Sequence, residues 1–248
     1  MKKIIFLLTF VFLLNVPCYC ETDIYARSYD KQQWLSRSEN STEQSVFYEK
    51  TDGIDYIKIT EFRKNTYDEF YNILNEIKTD KVIIDLRNNR GGYIVTAAKA
   101  AGLLLPEGKR VLVVNYRDGE QTTYYADGEF AGIKSVVLIN VSTASAAEAF
   151  ALALEQNGAV TVGEISYGKN SVQKLTATQY GGEKHTVGSF VVNGIDISSV
   201  GIRPDYKVLN DISIAYDSKN NEFVRTEIDN QLNKAKQLLG GSDYEHLS

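Results

Sequence analysis

The chain has 248 residues, enough for one large domain or two small ones, and its 43% apolar and 24% charged residues are an ordinary globular balance. The formal charge is −5, and no basic stripe of the kind that binds nucleic acid is present. With two distant histidines, His185 and His246, and cysteines only at Cys18 and Cys20, no metal-ligand spacing is readable.

Met1–Cys20 carries Lys2 and Lys3, an apolar run from Ile4 to Leu14, then Asn15, Pro17 and small residues at Cys18 and Cys20. That is the layout of a signal peptide cleaved after Cys20, and the run is too short to span a bilayer comfortably. On this reading residues 21–248 are exported and contain no cysteine, so no disulfide forms. A competing reading attaches lipid to Cys18 or Cys20, and membrane association is expected only by that route.

Residues 21–45 are polar with a lone Trp34 and read as an arm ahead of the core. Val46–Lys50 and Ile54–Glu61 alternate apolar and polar around Thr51-Asp52-Gly53, which predicts a hairpin. Thr66 and Glu69 form a capping-box pattern for a helix through about Lys78, with Phe70, Leu74 and Ile77 on one face. Lys81–Leu86 reads as a short buried strand, Tyr93–Leu105 as a helix of small residues, and Arg110–Tyr116 and Val136–Asn140 as further strands.

An alanine-rich helix follows to about Gln156, stopped by Asn157-Gly158. A strand at Val160–Gly163 leads to a turn at Gly168-Lys169. Hairpin-like strands come near Ser171–Thr178 and His185–Val192, with a turn at Asn193-Gly194. Glu227–Leu239 is predicted as a last helix with Ile228, Leu232, Ala235 and Leu239 on one side, ended by Gly240-Gly241. Uninterrupted apolar strands alternating with helices imply an α/β fold with a parallel or mixed sheet covered by helices. The domain boundaries are therefore 46–240, followed by a tail at 241–248.

Two residues stand out chemically. Ser145 falls where a helix begins, beside free backbone N–H groups and the positive end of the helix dipole. Lys169 is an isolated base returning from the next strand. A serine and a lysine so placed are what a Ser–Lys nucleophile pair needs, provided the lysine is neutral, a form that desolvation favours. The plainer alternatives are an ordinary N-cap serine and a solvated turn lysine.

Four ordered motifs bear on that choice: Asn140–Gln173, Gly53–Ile59 (G-I-D-Y-I-K-I), Val82–Gly92 (V-I-I-D-L-R-N-N-R-G-G) and Gly201–Asp205 (G-I-R-P-D). Together they resemble the C-terminal processing peptidases, also called tail-specific proteases, across most of the chain beyond the leader. The resemblance implies a ClpP/crotonase-like α/β core and an endopeptidase that acts on peptides or proteins without a cofactor. It implies Ser145 as nucleophile and Lys169 as general base, with Glu148 and Gln173 supporting them. Gly91 or Gly92, together with Ala146, would offer N–H groups to the oxyanion. Asp85 and Arg87 read as a structural pair.

The chain also departs from the family pattern. Arg90 stands where a proline usually precedes the Gly-Gly pair. Gln156 replaces an aspartate that assists the lysine in some relatives, and residues 21–45 leave no room for the usual PDZ domain. These departures keep a second expectation open, a catalytically idle peptide- or lipid-binding relative of the same fold. A Ser–His–Asp triad is disfavoured, because His185 reads as an exposed hairpin residue, His246 falls in the tail, and no histidine precedes Ser145.

Overall fold

A computed structural model describes residues 43–178, 181–217 and 222–240. The leader, Trp34, His246 and the 241–248 tail lie outside them. The strands are β1 (Val46–Thr51), β2 (Ile54–Ile59), β3 (Lys81–Asp85), β4 (Arg110–Tyr116), β5 (Gln121–Tyr125), β6 (Lys134–Ile139), β7 (Val160–Gly163), β8 (Ser171–Thr178), β9 (Gly181–Val191), β10 (Tyr206–Lys207), β11 (Asp211–Asp217) and β12 (Glu222–Ile228). The helices are α1 (Thr66–Glu76), α2 (Ile94–Leu104), α3 (Ala146–Glu155) and α4 (Asn230–Leu238).

The main sheet runs in the order β1-β2-β3-β6-β7-β10. Its strands from β2 to β10 are parallel, and β1 is joined antiparallel to β2 through Asp52 and Gly53, both at positive φ. Parallel strands covered on both faces read as continuous apolar runs, and the two faces here are distinct. Ile57, Ile59, Val82, Ile84, Val137 and Ile139 share one core with the buried sides of α1, α2 and α3. Tyr56, Ile83, Val136, Leu138 and Val162 face the other way, onto Ala235 and Leu239 at the α4 end of the chain. Alanines at 97, 98, 147 and 151 keep α2 and α3 slim where they pack, and Phe150 fills the space against Phe62 and Phe70, with ring centroids 5.4 and 5.9 Å away. A second, antiparallel sheet in the order β5-β4-β9-β8 adds Leu112, Val114 and Phe190 to the first core.

Three local expectations differ from the structure. The Thr66/Glu69 capping box does not form: Thr66 Oγ1 accepts from Arg63 N, while Glu69 Oε2 accepts from the N–H groups of Ser45 and Val46. The last helix begins at Asn230, capped by Asp229 accepting from Leu232 N, and Ile228 ends β12 with its side chain half-exposed. The helix α1 stops at Glu76 because Ile77 is extended.

Asp85 and Arg87 do pair, with Arg87 bridging Asp85 and Asp229 at 2.7 Å each and Tyr56 donating to Asp85. Burial alone would raise the Asp229 carboxyl, but its bonds to Arg87 and the Leu232 N–H hold it below the usual range. The pairing fastens α4 to the end of β3.

At the far end of α3, Glu155 Oε2 is enclosed and has no hydrogen-bond partner among the described residues. Burial, then the charge of Asp205, pushes its carboxyl up to about 7. The folded state therefore holds a proton that the unfolded chain has released, and stability falls as pH rises from about 4.5 to about 7. Glu155→Gln is expected to relieve roughly 1 kcal/mol after solvent screening, a gain of a few degrees in Tm at about pH 8. Thermal melts should show almost no gain at about pH 5; an equal gain at both pH values would refute the assignment.

Candidate active site

The loops after β3 and β6 meet at the carboxyl ends of adjacent parallel strands, where open α/β sheets place their sites. Side chains stitch them together. Asn140 Oδ1 accepts from Asn88 N and Ser142 N, Thr143 Oγ1 donates to Leu86 O, and Ala144 N donates to Asn89 O. Ser145 then opens α3 with φ 58° and ψ −119°, a conformation costly for a residue with a side chain. Its own N–H donates to Glu148 Oε2 at 2.7 Å.

Gly91 presses against this serine, while Gly92 packs against the Phe62 backbone. A Cβ at Gly91, whose φ is 103°, would lie 2.8–2.9 Å from Ala144 O, Ala146 N and Ser145 Cβ. The two backbones touch, and only glycine fits between them. The Gly91 N–H is already engaged by Oδ1 of the buried Asn89 at 2.8 Å. Phe62 takes the neighbouring groups, its N–H donating to Gly91 O and its carbonyl accepting from Tyr93 N. Among the described residues, the N–H groups of Gly92 and Ala146 have no acceptor. Of the two glycines left open by the sequence, Gly92 is the one with a free donor.

Glu148 is fully buried and accepts four hydrogen bonds. Oε2 takes Ser145 N and Lys169 N at 2.7 and 2.8 Å, and Oε1 takes Ser166 Oγ and Gly168 N at 2.6 Å each. One carboxylate thus ties the helix start to the turn that carries Lys169. The late G-I-R-P-D segment clamps the same turn from outside: Ile202 N donates to Ser166 Oγ at 2.7 Å, and a Cβ on Gly168 would lie 2.8 Å from Gly201 N. Lys169 is half-buried and its Nζ donates to Gln173 Oε1 at 3.2 Å. Ser145, Lys169, Gly91, Gly92, Gln173 and Phe190 all line one groove of about 690 Å³, a size that suits a ligand. Ala146 lies directly behind Ser145 at zero exposure.

Two expected features stand apart from the groove. Gln156 is exposed at the C-cap of α3, and ten helical residues put it about 15 Å from the Ser145 end. Gln156, which replaces the aspartate of some relatives, therefore lies a helix length away from the Ser145 end to which the Lys169 turn is tied. His185 pairs across the hairpin with Lys174, on the face opposite Leu175 and Lys184, which line the groove. It is half-exposed with Glu183 3.3 Å away.

The sequence reading missed Asn89 and Ser166. Asparagine two residues before a glycine N–H is an Asx-turn signal that could have found the first. Ser166 had no local signal, since its partners Glu148 and Ile202 are distant in sequence.

Comparison with known proteins bears on this arrangement directly. The family description Peptidase family S41 matches residues 53–208, which include Gly91, Gly92, Ser145, Glu148, Lys169 and Gln173. The chain belongs to Peptidase family S41. This S41 chain is 39% identical over 159 residues to a carboxyl-terminal-processing protease of a Synechocystis species, covering 61% of the chain and 37% of that relative. It is 35% identical over 193 residues to the protein of the same name from a Picosynechococcus species, covering 75% and 45%. The S41 chain thus spans less than half the length of these curated relatives. In structure it is similar to a photosystem II D1 C-terminal processing protease, with a TM-score of 0.57 and 26% identity over 67% of this chain and 49% of that one.

Proposed function

We propose that this chain is an exported serine endopeptidase that cleaves peptide bonds of peptides or proteins, near their C-termini, by a Ser–Lys dyad. The observation that carries the reading is the strained Ser145 at the start of α3, sharing a groove with Lys169, Gly91 and Gly92. Ser145 Oγ attacks the scissile carbonyl while Lys169 Nζ takes its proton. The carbonyl oxygen becomes an oxyanion held by the N–H groups of Gly92 and Ala146. Collapse of the tetrahedral species breaks the C–N bond, and Lys169 passes the proton to the leaving amine. Water, deprotonated by the same lysine, then releases the acyl group. Gln173 orients the amine and Glu148 fixes the spacing of the two loops. The leader at residues 1–20 supports export.

The test is covalent labelling of residues 21–248 with a fluorophosphonate probe. Labelling is expected for the unsubstituted chain and at least a hundredfold less for Ser145→Ala and Lys169→Ala, about the loss typical of removing a dyad member. Labelling that survives Lys169→Ala would sink the dyad. A folded chain that never labels would favour the idle binding relative.

A further inference from the structure

The whole chain is acidic, with a formal charge of −5, yet the groove is not. Its charged lining is Arg63, Arg90, Lys169 and Lys184 against Glu61 alone. Arg63 is committed to Glu61 and Glu43 at 3.0 and 2.7 Å, and Lys169 to Gln173. Arg90 and Lys184 are exposed and, among the described residues, neither makes an ion pair or a side-chain hydrogen bond.

Their positions are specific. Arg90 immediately precedes Gly91-Gly92, so it lies within two residues of the free Gly92 N–H. Lys184 is the cross-strand partner of Leu175, which is two residues, or about 7 Å, along β8 from the Gln173 that holds Lys169. The two cations therefore rise from different walls, one beside the glycine loop and one on the β8–β9 hairpin. Val95 and Leu175, 43% and 40% exposed, supply apolar surface in the same groove.

We propose that the groove selects peptides with carboxylate side chains beside the scissile bond, read by Arg90 and Lys184. The proposal rests on the reading of the groove as a peptidase substrate site. An extended peptide turns alternate side chains to opposite sides, so an apolar residue can meet Leu175 or Val95 while its neighbour presents a carboxylate to a cation. Arginine's planar fork matches a carboxylate bidentately. The acidic remainder of the molecule repels such a peptide, so any preference arises locally and is sensitive to salt.

The experiment uses three fluorescein-labelled peptides: an amidated one alternating leucine and glutamate, its leucine–glutamine counterpart, and that counterpart with a free C-terminal carboxylate. Binding is read by anisotropy with the Ser145→Ala chain, and cleavage with the unsubstituted chain. The glutamate peptide is expected to bind about fivefold more tightly than the glutamine peptide at low ionic strength, the upper range for exposed ion pairs. The difference should shrink at high salt and disappear in the Arg90→Gln/Lys184→Gln double variant, whose circular dichroism spectrum checks the fold. Equal affinities, or a preference untouched by the double variant, overturn the proposal. A preference carried only by the free C-terminus also overturns it. Cleavage without charge preference leaves the peptidase reading standing and removes this one; charge-selective binding without cleavage removes the peptidase reading and, with it, the placement beside a scissile bond.

Discussion

Glu148→Gln is expected to give a protein that melts roughly 10 °C lower and cleaves at least a hundredfold more slowly. The carboxylate accepts from Ser145 N, Lys169 N, Ser166 Oγ and Gly168 N, and both oxygens face donors. A glutamine must turn its NH₂ toward one of those pairs. At least one buried N–H then faces another donor, which costs about 3 kcal/mol; for a chain of this size each kcal/mol lowers Tm by about 2–4 °C. The activity loss has a separate origin. That side chain, beside the backbone bond from Tyr167 N to Thr143 O, holds the lysine turn and the serine helix in register, and a displacement of about 1 Å between reacting groups costs on the order of a hundredfold. Thermal melts and kcat/KM on the same preparation check both. A variant that melts within two degrees of the parent would mean that the four contacts do not carry the register.

Gly91→Ala is expected to lower kcat/KM by about 10²–10³, the range seen when an oxyanion donor is lost. The added methyl would sit 2.8–2.9 Å from Ala144 O, Ala146 N and Ser145 Cβ, at a φ of 103°. It has no flexible side chain to displace, so the glycine loop must back away from the helix start, carrying Gly92 N–H with it. Gly53→Ala provides the comparison. Gly53 also has positive φ, 78°, but nothing lies within 4 Å of its added Cβ. That variant should lose about 1 kcal/mol of stability and keep its activity. Equal activity losses in the two would show that general destabilisation, not the local clash, is responsible.

The features legible in the sequence were those set by short-range pattern. The Asp52-Gly53 turn, the apolar runs of β3 and β6, and the alanine helix between Ser145 and Asn157-Gly158 all declared themselves locally. The features that were not legible depend on partners far along the chain. Thr66 and Glu69 have a capping-box spacing, but Ser45 and Val46 claim the glutamate from more than twenty residues away. Ile228 continues the helical spacing of Leu232, Ala235 and Leu239, yet it pairs with Asp211, seventeen residues away, in the β11–β12 hairpin. At the site, the residue types at 145 and 169 were readable. How Glu148 joins them was not, because it works through backbone N–H groups that no side-chain motif encodes. The choice between Gly91 and Gly92 depended on a single buried amide, Asn89.

The backbone at Ser145 bears on how such a chain would age in the absence of a task. A φ of 58° with ψ of −119° belongs to glycine territory, and a residue with a side chain there sacrifices on the order of 1–3 kcal/mol. Glycine would relax that strain while leaving β6, α3 and the Glu148 tether in place. A lineage freed from needing the hydroxyl would therefore drift downhill toward glycine at this position, and its fold would become sturdier as its chemistry disappeared.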